Sequence, residues 1–494
     1  MLPLLELTRD SEKVISAFKR ALEIAEKIKQ CTKEYGGFVK GISGEYIEPG
    51  PSGSLTKGKI EILPTGRNFF AVDPMTIPTP SAWKIGVETA NKLIDHYLRK
   101  HGRYPESVGE WLWSIDAYKA DGEQIAQILY LLGVRPVWVN GMVKRLEVIP
   151  LEELRRPRVD VVVRISGIVR DTLPNYIYLI DEAVTRVASL NEPVELNYVR
   201  KHYLEHVSKL KDEELALCRV FCAPPGSYGA GVNYAVEASA WQDDEDLAKA
   251  WIQWSGYAYT KRSFGKEAFE SLVLNLQTVD VVTRNHISDE HDIFNCCCYF
   301  SYHGGFYNVA KTLGRNPEIV IVETKDVTNA AVRDMKDEIE RVVRAKLLNP
   351  IWISEMKNHG YRGANEFSKK ILHLYGWSAT TKLVDKWVFD EVAKTYVLDE
   401  EMMRWFEENN IYAVEEIARR LFEAYERGLW KADDELIEKL REAYAEIEGI
   451  LEEEVSGDVQ GGMIDVYTMS DVENWRTNAK KVEKIWNELK SGGE

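Results

Sequence analysis

The sequence predicts an α/β protein with a loop-rich N-terminal region, buried and mostly parallel strands with helices, and a largely α-helical C-terminal region. Three observations predict it. Short apolar runs at Val134 to Val139, Val159 to Ile165 and Ile319 to Glu323 lack polar alternation, as strands covered on both faces do. A strand, a Gly-rich turn and a helix start follow one another around Cys222. From Asn329 to Glu454 helical periodicity runs on with only Pro350 inside it. At roughly 150 residues per domain the chain holds about three units. Composition shifts place them at 1–120, 121–328 and 329–494.

The first helix runs from about Ser11 to Gln30, because Val14, Phe18, Leu22, Ala25 and Ile28 share one face and Lys and Glu fill the other. Gly36 and Gly37 are expected to end it. Between Gly41 and Pro80 glycines and prolines crowd together and leave room for short extended pieces only. Phe69, Phe70 and Trp83 make this stretch too apolar for a disordered linker, so a packed surface is expected. Helical spacing returns at Ser81 to His101, Gly122 to Leu132 and Pro174 to Leu190, and Cys218 to Cys222 reads as a further strand. The acidic run Glu452 to Glu454 reads as a solvated helix end.

Charge and cysteine usage exclude several function classes. Asp and Glu outnumber Lys and Arg by 79 to 63, a formal charge of -16, which argues against nucleic acid as a partner. No apolar run approaches the roughly 18 residues that cross a bilayer, and the chain start lacks a signal peptide's basic and apolar regions. No membrane span and a cytoplasmic location are expected. Six cysteines are too few for a disulfide scaffold, and three of them are contiguous.

Several segments carry chemistry. Gly53 to Ile60 almost spells a phosphate-binding P-loop, but Ile60 has no hydroxyl for magnesium, and the strand before and helix after are missing. ATP, if needed, is hydrolysed by a partner. The turn with Gly226, Gly229 and Gly231 either offers backbone amides to an anion or uses glycine for unusual dihedrals alone. Glu290 to Gly305 packs acids, imidazoles and thiols ahead of a flexible turn. If that segment is extended, Cys296 and Cys298 face one way and Cys297 the other, so two thiolates with His303 or His291 can hold a metal; otherwise the cysteines are small buried hydrophobes.

His359, beside glycines and Arg362, suits an anion contact or a helix cap, whereas His373 reads as packing. Trp241, Trp251, Trp254, Tyr257 and Tyr259 either stack on a flat ring or form core. Asp160 and Arg164 share a strand face and read as members of an ion-pair network. Arg170 and Asp171, at the strand's exit, are better placed to touch a ligand.

Taken together, Leu63 to Phe70, Leu132 to Trp138, Arg156 to Asp171, Pro225 to Gly231, Tyr302-His303-Gly304-Gly305, Leu348 to Trp352, Asn358 to Gly363, Tyr375 to Thr380 and Arg427 to Trp430 resemble the large subunit of cobaltochelatase (CobN type), to which the H subunit of magnesium chelatase is related. The resemblance covers about residues 35 to 450 and only the C-terminal part of that subunit. It implies binding of a tetrapyrrole or corrinoid ring and insertion of a divalent metal, with ATP and magnesium used by separate AAA+ ATPase subunits. On that reading His303 is the proton acceptor or a transient metal ligand with Cys296 and Cys298, Glu290 and Asp292 support it, and Arg170, Gly226, Gly229, Gly231 and His359 receive the ring.

Two departures from the family pattern qualify this. The upstream His-Gly-x-x-Glu-Phe-Leu-Pro-Gly-Lys segment is missing, so either a separately encoded N-terminal half supplies it or the chain is a tetrapyrrole carrier or scaffold without turnover. Thiols stand at Cys296 to Cys298 where the family carries aspartates, which favours cobalt as the substrate metal over magnesium. A magnesium chelatase H-type subunit is the enzyme alternative.

Overall fold

A computed structural model describes residues 11–70, 72–454 and 469–491. In chain order its strands are β1 (Pro49–Pro51), β2 (Asn68–Phe70), β3 (Ser107–Leu112), β4 (Val134–Val139), β5 (Met142–Val148), β6 (Asp160–Ile165), β7 (Val220–Cys222), β8 (Tyr257–Tyr259), β9 (Phe264–Glu267), β10 (Val281–His286), β11 (Glu318–Glu323) and β12 (Ala331–Asp334). Eight of them form one sheet in the order β12-β11-β10-β3-β6-β7-β8-β9, parallel from β11 to β7 and antiparallel at both edges. The α/β expectation holds.

Side-chain alternation splits the sheet's burial in two. Val108, Leu112, Val161, Val163, Val281 and Val320 face a core built with the helices Pro80–His101, Glu123–Leu132 and Pro174–Ala188. Trp111, Val162, Phe221, Val282 and Ile321 face the other core, which runs on into the C-terminal helices. With both faces covered, the strands can be apolar throughout.

Several expectations change. The sheet is continuous across residues 120 and 328, because β3 lies before the first of these boundaries and β12 after the second. β4 is not in this sheet; it pairs with β5 as a separate antiparallel hairpin. Gly36 and Gly37 lie inside the helix Lys33–Ile42 rather than ending one. β12 precedes the C-terminal helices, which begin at Met335. Among the described residues, no helix is long and apolar enough to cross a membrane.

Candidate metal centre

From β3 the chain moves to β6 and β7 on one flank, then returns to lay β10 and β11 on the other. β3 and β10 therefore border the topological switch point of the sheet, and the crevice outside the carboxyl ends there is where such sheets take ligands. At this edge Arg284 of β10 lies 4.4 Å from the ring centroids of Trp111 and Tyr299 and 5.0 Å from that of Trp113. Its Nη1 is buried with no hydrogen-bond partner among the described residues. Sequence reasoning missed this arginine, since nothing in Thr283-Arg284-Asn285 separates a strand end from a loop.

The loop after β10 carries the thiols. It is hung on the helix Tyr361–Thr381 by Lys370, His373 and Trp377, whose spacing of three and four puts them on one helix face. Lys370 Nζ donates to Asn295 Oδ1 at 2.8 Å and pairs with Asp292 at 3.3 Å. Trp377 Nε1 donates to the Ile293 carbonyl at 3.0 Å, and His373 Nδ1 bonds the Phe294 carbonyl at 2.6 Å. A carbonyl accepts only, so this bond keeps the proton on Nδ1 and leaves Nε2 as the basic nitrogen.

The segment is not extended. Cys298 begins a helical stretch that continues as a π-helix from Tyr299 to Gly304 and an α-helix from Gly305 to Thr312. The turn at His303-Gly304-Gly305 is thus rigid helix. Gly304 is required there, because a Cβ would overlap Thr380 of the packed helix. Curling the chain also brings all three thiols together: the sulfurs of Cys296, Cys297 and Cys298 lie within 4.8 Å of one another and are partly exposed. This corrects the two-against-one arrangement that alternation predicts. Hydrogen bonds from Cys297 and Cys298 pull the Cys296 thiol down from its ordinary pKa, and the same sharing pushes Cys297 and Cys298 up. The direction of these shifts makes Cys296 the most readily deprotonated of the three.

The other expected site residues fall elsewhere. His303 is fully buried, with Nε2 3.3 Å from the Val282 carbonyl and Nδ1 without a partner among the described residues. Burial lowers it to about 3, so in this conformation it is a neutral ring sealed from any ring substrate. It is not part of the three-sulfur group. Asp292 is buried between Lys346 and Lys370, whose charges outweigh burial and hold its carboxyl below the ordinary range; it anchors the loop. Glu290 is exposed and paired with Lys119 at 2.9 Å.

Arg170 is 1% exposed, and its guanidinium is spent on Asp171 and on the carbonyls of Ala223, Pro224 and Ser227. It braces the Gly-rich turn from below, where ligand contact was expected. Gly226, Gly229 and Gly231 all have positive φ, and at Gly231 a Cβ would overlap the Trp254 ring. Of this turn Tyr228 is the exposed crest. His359 sits exposed between the helices Pro350–Lys357 and Tyr361–Thr381, about 20 Å from His373 at 1.5 Å rise per residue.

Two open alternatives close. Trp241, Trp251 and Tyr259 are core, and Trp254 packs on Trp475 at 5.5 Å. Asp160 is held by Arg219 and His202, both at 2.9 Å, as the expected ion-pair network; Arg164 departs from that expectation, donating to Ser255 and the Gly229 carbonyl, both at 2.8 Å, with no carboxylate partner among the described residues. In the P-loop-like segment, Lys57 is buried against Glu123 at 2.9 Å.

Comparison with known proteins adds the following. Residues 5–437 match the family model described as CobN/Magnesium Chelatase. Over 456 residues the chain is 52% identical to an uncharacterized protein of Methanocaldococcus jannaschii, covering 90% of this chain and 37% of that one. It is 36% identical over 438 residues to the aerobic cobaltochelatase subunit CobN of Pseudomonas aeruginosa, covering 86% and 35%. The solved catalytic subunit of cobaltochelatase from Mycobacterium tuberculosis shares the fold with a TM-score of 0.82 and 38% identity, over 84% of this chain and 36% of that one. The chain spans about a third of the length of the curated relatives it matches.

Proposed function

We propose, from the premise that this chain belongs to the CobN/magnesium chelatase family, that it is the metal-holding part of a chelatase large subunit, loading a divalent ion for a tetrapyrrole or corrinoid ring and favouring cobalt over magnesium. The observation that carries this reading is the convergence of three thiols beside the switch point of the sheet. Thiolates suit cobalt, nickel and zinc, whereas magnesium prefers oxygen ligands in octahedral array.

The thiols also answer the proton problem of insertion. A ring must lose two N–H protons as it gains the ion. If three thiolates hold the ion and give it up, Cys297 and Cys298 take the two protons and Cys296 stays a thiolate. That order follows the direction in which their shared hydrogen bonds move the three thiols, Cys296 down and Cys297 and Cys298 up. Charge and atoms balance: one divalent ion moves from sulfur to nitrogen while two protons move from nitrogen to sulfur. This assigns the acceptor role to sulfur and leaves His303 as packing.

Ring contact is proposed at the Gly226–Gly231 turn through Tyr228, with Arg170 as its support. ATP hydrolysis is assigned to separate AAA+ subunits, which fits the burial of Lys57. The test is reconstitution of this chain with the rest of the large subunit, ATPase partners and ATP. The expected result is cobalt insertion that exceeds magnesium insertion and is lost when Cys296, Cys297 and Cys298 are all serine. Equal insertion by that variant rejects the thiol mechanism, and ring binding without insertion of any metal favours a carrier.

A further inference from the structure

The helices Ser11–Lys29 and Lys33–Ile42 form an arm in which no residue from 12 to 49 is buried. Phe18, Leu22, Ile28, Phe38, Val39 and Ile42 are all exposed, Leu22 by 70% and Ile42 by 73%. Short amphipathic helices owe their stability to packing of the apolar stripe, so among the described residues this arm lacks what would hold it helical. Its root is fixed, because Gly37 packs on the backbone at Gly66 with no room for a side chain. Exposed large apolar side chains gathered on one arm are the usual mark of an interaction surface.

Charge narrows the occupant. Between residues 11 and 42 there are seven Lys and Arg against four Glu, an excess of three positive charges in a chain of -16. The partner face is therefore an apolar groove with an acidic rim. Family membership narrows it further. The arm lies within residues 5–437, the stretch the family model matches, so the arm is a family feature and not an appendage of this sequence. The relatives are far longer, this chain covering 35 to 37% of them.

We propose that the arm is the docking surface for the remaining two-thirds of the chelatase large subunit, whether that part belongs to the same chain or to another. The test mixes this chain with the part of the Methanocaldococcus jannaschii relative that it does not match, expressed as a separate polypeptide. Titration calorimetry should show a one-to-one complex, and hydrogen exchange should slow across residues 12–49. The double variant Leu22→Asp with Phe38→Asp should weaken the complex about tenfold or more and leave thermal unfolding of the body unchanged. Undiminished binding by the variant overturns the proposal, as does failure of the unaltered chain to bind. A dimer of this chain alone that the variant abolishes, or partition of the arm onto anionic vesicles, also overturns it by naming another occupant. Neither metal nor ring enters the assay, so its result is independent of the insertion reading.

Discussion

Glu110 sits on β3 opposite Thr283 of β10, fully buried, with Gln124 and Gln127 donating to it at 2.7 Å. Burial pushes its carboxyl up to about 8. Because the folded value is raised, the stability this group contributes is complete below its unfolded pKa near 4.5 and is lost as pH rises toward 8. His303 has the opposite sign: its ring is lowered to about 3, so its contribution is complete above 6.5 and is lost as pH falls. Glu110→Gln should therefore flatten the alkaline side of a stability-pH profile by a few kcal/mol, at about 1.4 kcal/mol per pKa unit, and leave the acid side unchanged. Denaturant unfolding between pH 5 and pH 9 checks this. At the thiol cluster, Cys297→Ser should lower cobalt affinity about tenfold or more, whereas Cys218→Ser, which alters a buried thiol remote from the cluster, should not. Competition with a coloured chelator reads the difference.

Two elements govern the site, the helix Tyr361–Thr381 and the Gly-rich turn. Lys370→Met removes one of two cations from buried Asp292 and the donor to Asn295. The expected cost is about 3 kcal/mol, at the low end for a broken buried pair because Lys346 remains. Faster hydrogen exchange in residues 292–298 and faster alkylation of the three thiols should accompany it. Gly231→Ala meets both a positive φ and the Trp254 ring, and should cost about 2 to 4 kcal/mol in thermal or denaturant unfolding. The turn and its glycines were legible in the sequence; their mode of support was not. Arg164 and Arg170 reach the turn across 65 and 57 positions of chain, contacts no local pattern encodes. The Lys370, His373 and Trp377 face has helical spacing, but its target lies 75 to 84 positions away, which spacing does not encode.

At the scale of the molecule, the fold class followed from apolar runs, and β6 and β11 were found because they are valine-rich. The two strands that border the site were missed for the same reason in reverse. β3 carries Gly109 and Glu110, and β10 ends in Thr283-Arg284-Asn285-His286, so neither shows an apolar run although both are buried throughout. Polar residues tolerated in a buried strand belong to the crevice that β3 and β10 border. Alternation failed at Cys296 to Cys298 because that rule assumes a strand, and the helix packed over the loop imposes a curl. On the proposed function this curl makes one metal site from three thiols. An anaerobic cobalt titration of the chain, read by sulfur-to-cobalt charge-transfer absorption and by mass counting of alkylated cysteines, tests it most directly. The expected result is one cobalt per chain, the charge-transfer band, and protection of Cys296, Cys297 and Cys298 together, with no protection by magnesium. Cobalt binding without that band, or full alkylation of the three thiols in its presence, would contradict it.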